Sequence, residues 1–514
     1  MKIKNPACEI EKLLNYAIRK NLIEQIDMIQ IRNSLIDLLE IKKPYEGEFQ
    51  EELGITLNEI LSDLLDFAVE QLIIEEDNIT NRDLLDTRIM GYLTPSASVV
   101  NRKFKELECD FGIEKATDYF YDLSIAVNYI RWDRILKNRH WLGLTEYGDL
   151  EITINLSKPE KDPKEIAMAK KVKSTGYPKC VLCIENMGFA GNTGHPARQN
   201  LRLIPLEMRS GKWFFQYSPY VYYNEHCIII DENHVPMSID KNTFKDFVDF
   251  LNRFPHYFIG SNADLPIVGG SILNHNHYQG GRHAMPMEKA VCEKEFVDKN
   301  HEGIEIEILK WPMSVVRLRT EDDKLLIKHA VRILDKWRKY SDPSLDIFAQ
   351  TGEEKHNTIT PIARKKDGKY ELDLVLRNNR TSAQHPLGIF HPHENLHHIK
   401  KENIGLIEVM GLAILPGRLQ HEIDLITGIL EGSIKEYDEY FTENGILKKH
   451  ETWIENLKND HDKKNSSDEL RDTIKCEISK IFKQVLEDSG VYKRNESGLK
   501  GFQEFLGKCG YFPK

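Results

Sequence analysis

From residue 7 to about 90, apolar side chains recur every three or four positions. Ile10, Leu13, Leu14, Ala17 and Ile18 fall on one stripe, and the same spacing resumes across 23–39 and 60–73. A helix gathers residues at this spacing on one face, so the pattern predicts a succession of amphipathic helices. Pro95 and Ser96 punctuate the chain before helical spacing returns over 99–141. Residues 1–150 are therefore expected to be mainly helical.

The texture then changes. Residues 150–156 (LEITINL) alternate apolar and polar side chains as a strand does. A charged loop follows at 158–165. From about 172 to 440, strand-like runs at 213–223, 227–230, 258–260, 303–309, 314–318 and 370–377 are interleaved with helical spacing, clearest at 243–254. That mixture predicts an α+β arrangement built on an antiparallel sheet. The tail from about 420 reads as helical again, with a polar interruption at 461–469, and no short-period repeat is visible.

At 514 residues the chain exceeds the usual size of one core, which predicts two or three domains. Its 81 acidic and 70 basic residues leave a net charge of -11. That sign gives no broad attraction for nucleic acid or an anionic membrane, so any phosphate must be held in a local pocket. Glu9, Glu11, Lys12 and Asn15 break up the N-terminal segment, which lacks the apolar stretch of a signal peptide. No run approaches the roughly 18 apolar residues of a membrane span. Eight cysteines in so long a chain suit a reducing compartment. Together these features predict a cytoplasmic protein. No Walker-type phosphate loop is present, so no triphosphatase activity is expected.

The densest candidate chemistry lies at 269–281 (GGSILNHNHYQGG). In a strand, His275, His277 and Gln279 share one face, with Asn276 and Tyr278 opposed. Gly269 and Gly270 permit close backbone approach, Ser271 adds a hydroxyl, and Gly280 and Gly281 let the chain turn away. Two imidazoles and an amide beside glycine-rich backbone suit a phosphate diester: N–H groups hold its oxygens while a neutral ring nitrogen attacks phosphorus. Alternation alone gives the two histidines equal standing, and a pair of buried structural histidines is the plainer alternative. Asn262, just upstream, offers a further phosphate donor.

Other constellations are less specific. Cys180 and Cys183 can share a zinc ion if two more ligands join them, and otherwise are two thiols in a turn. His391, His393, His397 and His398 crowd one segment, where a second metal, a phosphate contact and a structural role are all open. Arg131, Arg134 and Lys137 fall three apart on one helical face, available to substrate phosphates or merely solvated. Arg198, Asn200 and Arg202 form a polar set that could face a nucleoside, although an edge strand would show the same alternation.

The string DLPIVGGS at 264–271, continuing to His275, His277 and Gln279, resembles the signature of the class II bacterial galactose-1-phosphate uridylyltransferases. These are also called UDP-glucose–hexose-1-phosphate uridylyltransferases and belong to the histidine-triad-like (HIT-like) superfamily. The likeness extends to ATDYFY at 116–121, YIR at 129–131, HNTITP at 356–361 and the segment 385–418. It implies an α+β fold of HIT-like antiparallel sheets with helices, in halves at 172–310 and 311–440, flanked by helical regions at 1–171 and 441–514. It implies ping-pong transfer: UDP-glucose uridylylates His277, glucose-1-phosphate leaves, and galactose-1-phosphate departs as UDP-galactose. Gln279 then holds phosphate, since an amide donates to an oxygen but is no acid at neutral pH. Hydrolytic relatives carry a third histidine there.

By resemblance to class I enzymes, zinc ligands would fall on Cys180, Cys183, His234 and His275, leaving His277 as the free imidazole. His391 and His393 would be candidates for a second metal. Asn262, Gly270, Ser271, Asn200 and Arg131 would contact substrate. The resemblance also admits a homodimer and requires no organic cofactor. Two rival readings stand beside it: another HIT-type dinucleotide phosphorylase or hydrolase, and a zinc-stabilised binding protein without catalysis.

Overall fold

The computed structural model describes residues 5–47, 54–157, 176–270, 272–460 and 466–514. The loop expected at 158–165 and Ser271 lie outside these, as does the stretch 461–465 of the polar interruption.

The N-terminal periodicity becomes helices α1 (Pro6–Arg19), α2 (Met28–Leu38), α3 (Leu57–Glu70), α4 (Ile79–Leu93), α5 (Ala97–Phe111), α6 (Ile113–Ala126) and the short α7 (Trp132–Ile135). Local chemistry sets their ends. Asn5 caps α1 by accepting from the Ala7 N–H at 3.0 Å, and Thr56 and Glu59 cap α3 reciprocally. The stripe Ile10, Leu13, Leu14 and Ala17 is fully buried. Helical structure gives way before residue 141: β1 (Arg139–Gly143) pairs antiparallel with β2 (Leu150–Asn155).

The middle of the chain forms one large antiparallel sheet. Its first strands are β3 (Ile204–Met208), β4 (Gly211–Tyr217) and β5 (Cys227–Asp231), followed by helix α8 (Lys241–Arg253) and then β6 (Phe258–Gly260) and β7 (His277–Gly281). The apolar run expected to continue to 223 stops at Tyr217. Val221 and Glu225 take positive φ values of 40° and 52° there, turning the chain out of the sheet.

The chain then repeats the scheme with β8 (Cys292–Asp298), β9 (His301–Leu309), β10 (Val315–Thr320), helix α9 (Asp323–Trp337), the small hairpin β11 (Gln350–Thr351) and β12 (Glu354–Lys355), and finally β13 (Asn357–Lys366) and β14 (Lys369–Asn378). β3, β8, β13 and α9 add to the elements read from sequence. Beyond them lie α10 (Leu406–Val409), β15 (Leu412–Pro416), α11 (Arg418–Glu431), α12 (Glu451–Asp460), α13 (Ser467–Ser489), α14 (Glu496–Lys508) and β16 (Tyr511–Pro513). β15 lies parallel to β2, and β16 extends the large sheet beside β8.

The strand order is β16-β8-β9-β10-β14-β13-β6-β7-β5-β4-β3. On either side of the central β6–β13 pair the order is the same: the fourth strand innermost, then the fifth, third, second and first. Each set has its helix between the third and fourth strands. The sheet separates two cores. One face, with Tyr278, Ile229, Ile259 and Leu374, packs on α8 and α9 through Phe247, Leu251, Ala330 and Ile333. The other, with Phe258, Ile362 and Val375, is covered by Met285, Met287 and the segment 404–415. Register places His277 and Gln279 on that second face, because Gln279 lies opposite Gly260 and Gly260 opposite Ile362.

Candidate active site and metal centre

β7 sits between β5 and β6, with His277 opposite Ile230 and Gln279 opposite Ile228. Its glycines are demanded by packing. A Cβ on Gly280 would lie 2.4 Å from the Phe258 carbonyl oxygen, and one on Gly281 2.7 Å from the Tyr223 ring. His277 is buried, and its Nδ1–H donates to the His275 carbonyl oxygen at 2.8 Å. Nε2 is thereby left as the unprotonated ring nitrogen. Burial drives the His277 pKa down to about 4, so the ring is neutral at physiological pH. This is the state a nucleophilic imidazole needs.

Gln279 is half-buried, and its Oε1 lies 3.0 Å from Nε2 of His226, a residue the sequence reading did not single out. A lone histidine just before a strand carries no spacing signal. Asn262 and Gly270 do meet: a Cβ on Gly270 would come 2.7 Å from Asn262 Nδ2, so glycine lets the loop close on that amide. Asn262 Oδ1 accepts from the Leu406 N–H at 2.8 Å, which fixes the rotamer and points Nδ2 the other way.

Immediately before His277, a four-residue cluster forms. Cys180 Sγ is 3.6 Å from Cys183 Sγ and 3.2 Å from His275 Nδ1, while Cys183 Sγ is 3.1 Å from His234 Nδ1. All four ligand atoms lie within 4.8 Å of one another. A tetrahedral zinc with bonds of about 2.3 Å to sulfur and about 2.0 Å to nitrogen would separate its ligands by roughly 3.3–3.8 Å, within a few tenths of an ångström of the distances here. The orientation also fits: His275 Nε2–H donates to the Asp231 carbonyl oxygen at 3.0 Å, leaving Nδ1 for a metal.

The cysteine turn is built for the role. The Cys183 N–H bonds to the Cys180 oxygen, and buried Asn186 donates to both the Cys180 and Cys183 carbonyls at 2.8 Å. Burial pushes the Cys180 thiol up, but its contact with His275 and the hydrogen bond from the Leu182 N–H outweigh it and hold the thiol below its ordinary value.

Other sequence candidates are engaged elsewhere. Arg131 donates to Asp86 at 2.8 Å and lies 3.5 Å from Asp83, and Arg134 pairs with Asp83 at 2.6 Å. Asn200 is buried with Nδ2 on the Val127 carbonyl, and Arg202 donates to the Thr94 and Pro95 carbonyls. Arg131 and Arg134 thus tie α7 to α4 within the helical region, while Asn200 and Arg202 fasten the segment before β3 to it.

The histidines of 391–398 disperse. His391 bonds to the Pro392 carbonyl. His393 lies 3.4 Å from Asp488 and stacks on His385, while His398 meets His450 at 2.8 Å. Among the described residues, His391 and His393 join no grouping of three such side chains at metal-binding distance. Asp298, His301 and His329 do form one, but Arg332 lies 2.6 Å from Asp298 and already supplies its cation.

Comparison with known proteins adds an independent line. Residues 25–236 match the family described as galactose-1-phosphate uridyl transferase, N-terminal domain, and residues 250–427 match the corresponding C-terminal domain. Galactose-1-phosphate uridylyltransferase of Caldanaerobacter subterraneus subsp. tengcongensis is 56% identical over 99% of this chain and 99% of its own length. Those of Clostridium acetobutylicum and Bacillus subtilis are 52% and 47% identical, over 97% and 98% of this chain and 99% and 98% of their own lengths.

Proposed function

The chain belongs to the galactose-1-phosphate uridylyltransferase family, and from that premise we propose that His277 carries the uridylyl group. The enzyme exchanges uridylyl between UDP-glucose and galactose-1-phosphate in galactose metabolism. In the first half-reaction, Nε2 of His277 attacks the uridylyl phosphorus. The bond from that phosphorus to the bridging oxygen breaks, and glucose-1-phosphate leaves with the electron pair. In the second, a phosphate oxygen of galactose-1-phosphate attacks the same phosphorus, the N–P bond breaks, and UDP-galactose forms. No proton need be delivered to either leaving group.

The observation that carries this reading is the Nδ1–H bond from His277 to the His275 carbonyl. It presents Nε2 as a base before attack and steadies the ring as nitrogen gives up its lone pair. Gln279 and the Nδ2 group of Asn262 donate to the non-bridging oxygens, where preorganised donors act most strongly. Gly270 lies against the Asn262 amide, and Ser271 is assigned as a further phosphate donor on its sequence position alone.

Cys180, Cys183, His234 and His275 would hold zinc, which as a four-ligand site supplies structural bracing rather than an open coordination position. Because His275 also accepts the His277 bond through its backbone, the cluster steadies the nucleophile. Among the described residues no helix is long and apolar enough to cross a membrane. A cytoplasmic setting keeps the two cysteines reduced for metal.

The test is exchange of labelled glucose-1-phosphate into UDP-glucose without galactose-1-phosphate. A covalent intermediate supports exchange, and His277→Gly abolishes it. Exchange that survives His277→Gly would remove His277 from the chemistry.

A further inference from the structure

Gln279 has a problem that its own chemistry does not solve. A carboxamide has a donor end and an acceptor end of nearly equal size, and only the N–H end stabilises an anionic phosphate oxygen. With the amide reversed, Oε1 would face that oxygen and repel it. Some neighbour must distinguish the two orientations.

We propose that His226 is a positioning residue that fixes the Gln279 amide with its N–H end toward phosphate. The inference rests on the reading of His277 and Gln279 given above.

His226 is 2% exposed, and among the described residues its ring has one hydrogen-bonding partner, Gln279 Oε1 at 3.0 Å. The other ring nitrogen, Nδ1, is buried with no partner among those residues. A neutral imidazole carries a single N–H. Placed on Nε2, that hydrogen donates to Gln279 Oε1 and leaves a bare acceptor at Nδ1. Placed on Nδ1, it would be a buried unpaired donor, and Nε2 would attract the Gln279 N–H end instead. Buried orphan donors are the rarer and costlier case, so the first arrangement wins. Burial holds the His226 pKa near 4, consistent with the neutral ring.

The imidazole is itself immobilised. It stacks on Tyr222 with centroids 5.4 Å apart and packs against Tyr223 at 4.5 Å. Its backbone carbonyl accepts from the Ser218 N–H at 2.7 Å, and its N–H donates to the Tyr223 carbonyl. The next residue, Cys227, opens β5 directly opposite Gly280. The ring, one residue before β5, and the amide on β7 are therefore held by strands whose register is fixed. A histidine retained only for packing would not need to be aimed at the amide that faces the nucleophile.

The experiment follows glucose-1-phosphate exchange in four proteins besides the parent: His226→Phe, His226→Gln, Gln279→Ala, and the double variant His226→Phe with Gln279→Ala. Phenylalanine keeps a ring between the two tyrosines and removes the N–H. It should lower kcat by about 10–100-fold with little change in KM for UDP-glucose, a little below the usual cost of losing a direct transition-state donor. Glutamine supplies an amide N–H and should restore most of that loss. The double variant should be no slower than Gln279→Ala alone, because His226 acts through Gln279.

Parental kcat in His226→Phe, or losses that multiply in the double variant, would overturn the proposal. Either result leaves the role of His277 standing, since that rests on His277→Gly. If the phenylalanine variant does not fold, 15N shifts of the His226 ring in the parent protein decide. They are assigned by their loss in His226→Gln. A neutral Nε2–H tautomer supports the inference, and an Nδ1–H tautomer refutes it.

Discussion

At the scale of single residues, the two ends of one amide separate stability from chemistry. Asn262 Oδ1 accepts from Leu406, and its Nδ2 lies against Gly270, where it would donate to phosphate. Asn262→Asp keeps the acceptor, loses the donor and sets a carboxylate against the substrate. Its exchange rate should fall by about 10²–10³-fold with an almost unchanged thermal midpoint. Asn262→Ala should lose both, leaving the Leu406 N–H unpaired at about 1–3 kcal/mol of stability. Exchange assays and thermal melts on the pair check this, and equal melting losses would contradict it.

The same contrast explains what was legible. His277, Gln279, Cys180 and Cys183 stood out because strand alternation and a three-residue turn impose visible spacings. His234 has no such spacing and came only from resemblance. His226 left no mark, because its role depends on two strands meeting. Arg131 and Asn200 looked available because a sequence shows a charge or an amide but not the Asp86 carboxylate or Val127 carbonyl that occupies it.

At the scale of elements, β7 is gripped from both ends. On one side, β6 approaches so closely that Gly280 has no room for a side chain. Gly280→Ala should cost about 1–3 kcal/mol through overpacking, read from the urea midpoint. On the other side, the Cys180–Cys183–His234–His275 cluster ties the strand's approach to a separate turn. The purified enzyme should carry about one zinc per chain in this closed site. Cys183→Ala should lower metal content, thermal midpoint and exchange rate together even though His277 is intact. Full exchange in metal-free protein would sever the link between the cluster and the nucleophile.

Elements with a clean period were the readable ones: β6 begins and ends where its short apolar run does, and α8 (Lys241–Arg253) falls within two residues of the helical spacing at 243–254. β13 was hidden because Pro361 interrupts its run. It survives in the sheet because its carbonyl accepts from Ser261 while it needs no donor of its own.

At the scale of the molecule, the repeated strand order implies a division of labour. On the face where β7 presents His277 and Gln279, the matching strand β14 presents Glu371 and Asp373. These meet the buried Arg317 and Arg364, with half-buried Arg319 at the edge, in one charge network. Burial pushes Asp373 up, but Arg317 and Arg364 outweigh it and hold its carboxyl well below the usual range.

A carboxylate depressed in this way stabilises the fold above its ordinary pKa, and the contribution drains away as pH falls from about 4 toward the folded value. Glu151 behaves alike. Burial raises it, yet hydrogen bonds with His140 and His283 bring it to about 2. The parent protein should therefore hold its stability down to about pH 5 and lose it steeply between about pH 4 and 2. Asp373→Asn should already be destabilised at neutral pH by about 3–5 kcal/mol, because it leaves Glu371 alone to balance the buried Arg317 and Arg364 guanidinium groups, and should show a shallower acid dependence. None of the residues proposed above to hold the reacting phosphate lies on β14, so the folded fraction of Asp373→Asn should exchange glucose-1-phosphate at nearly the parental kcat. Urea titrations at pH 7 and pH 4, alongside exchange assays below the unfolding transition, separate the two effects. A fully folded Asp373→Asn enzyme with a much reduced kcat would mean that the second set of strands takes part in the chemistry instead of buttressing it.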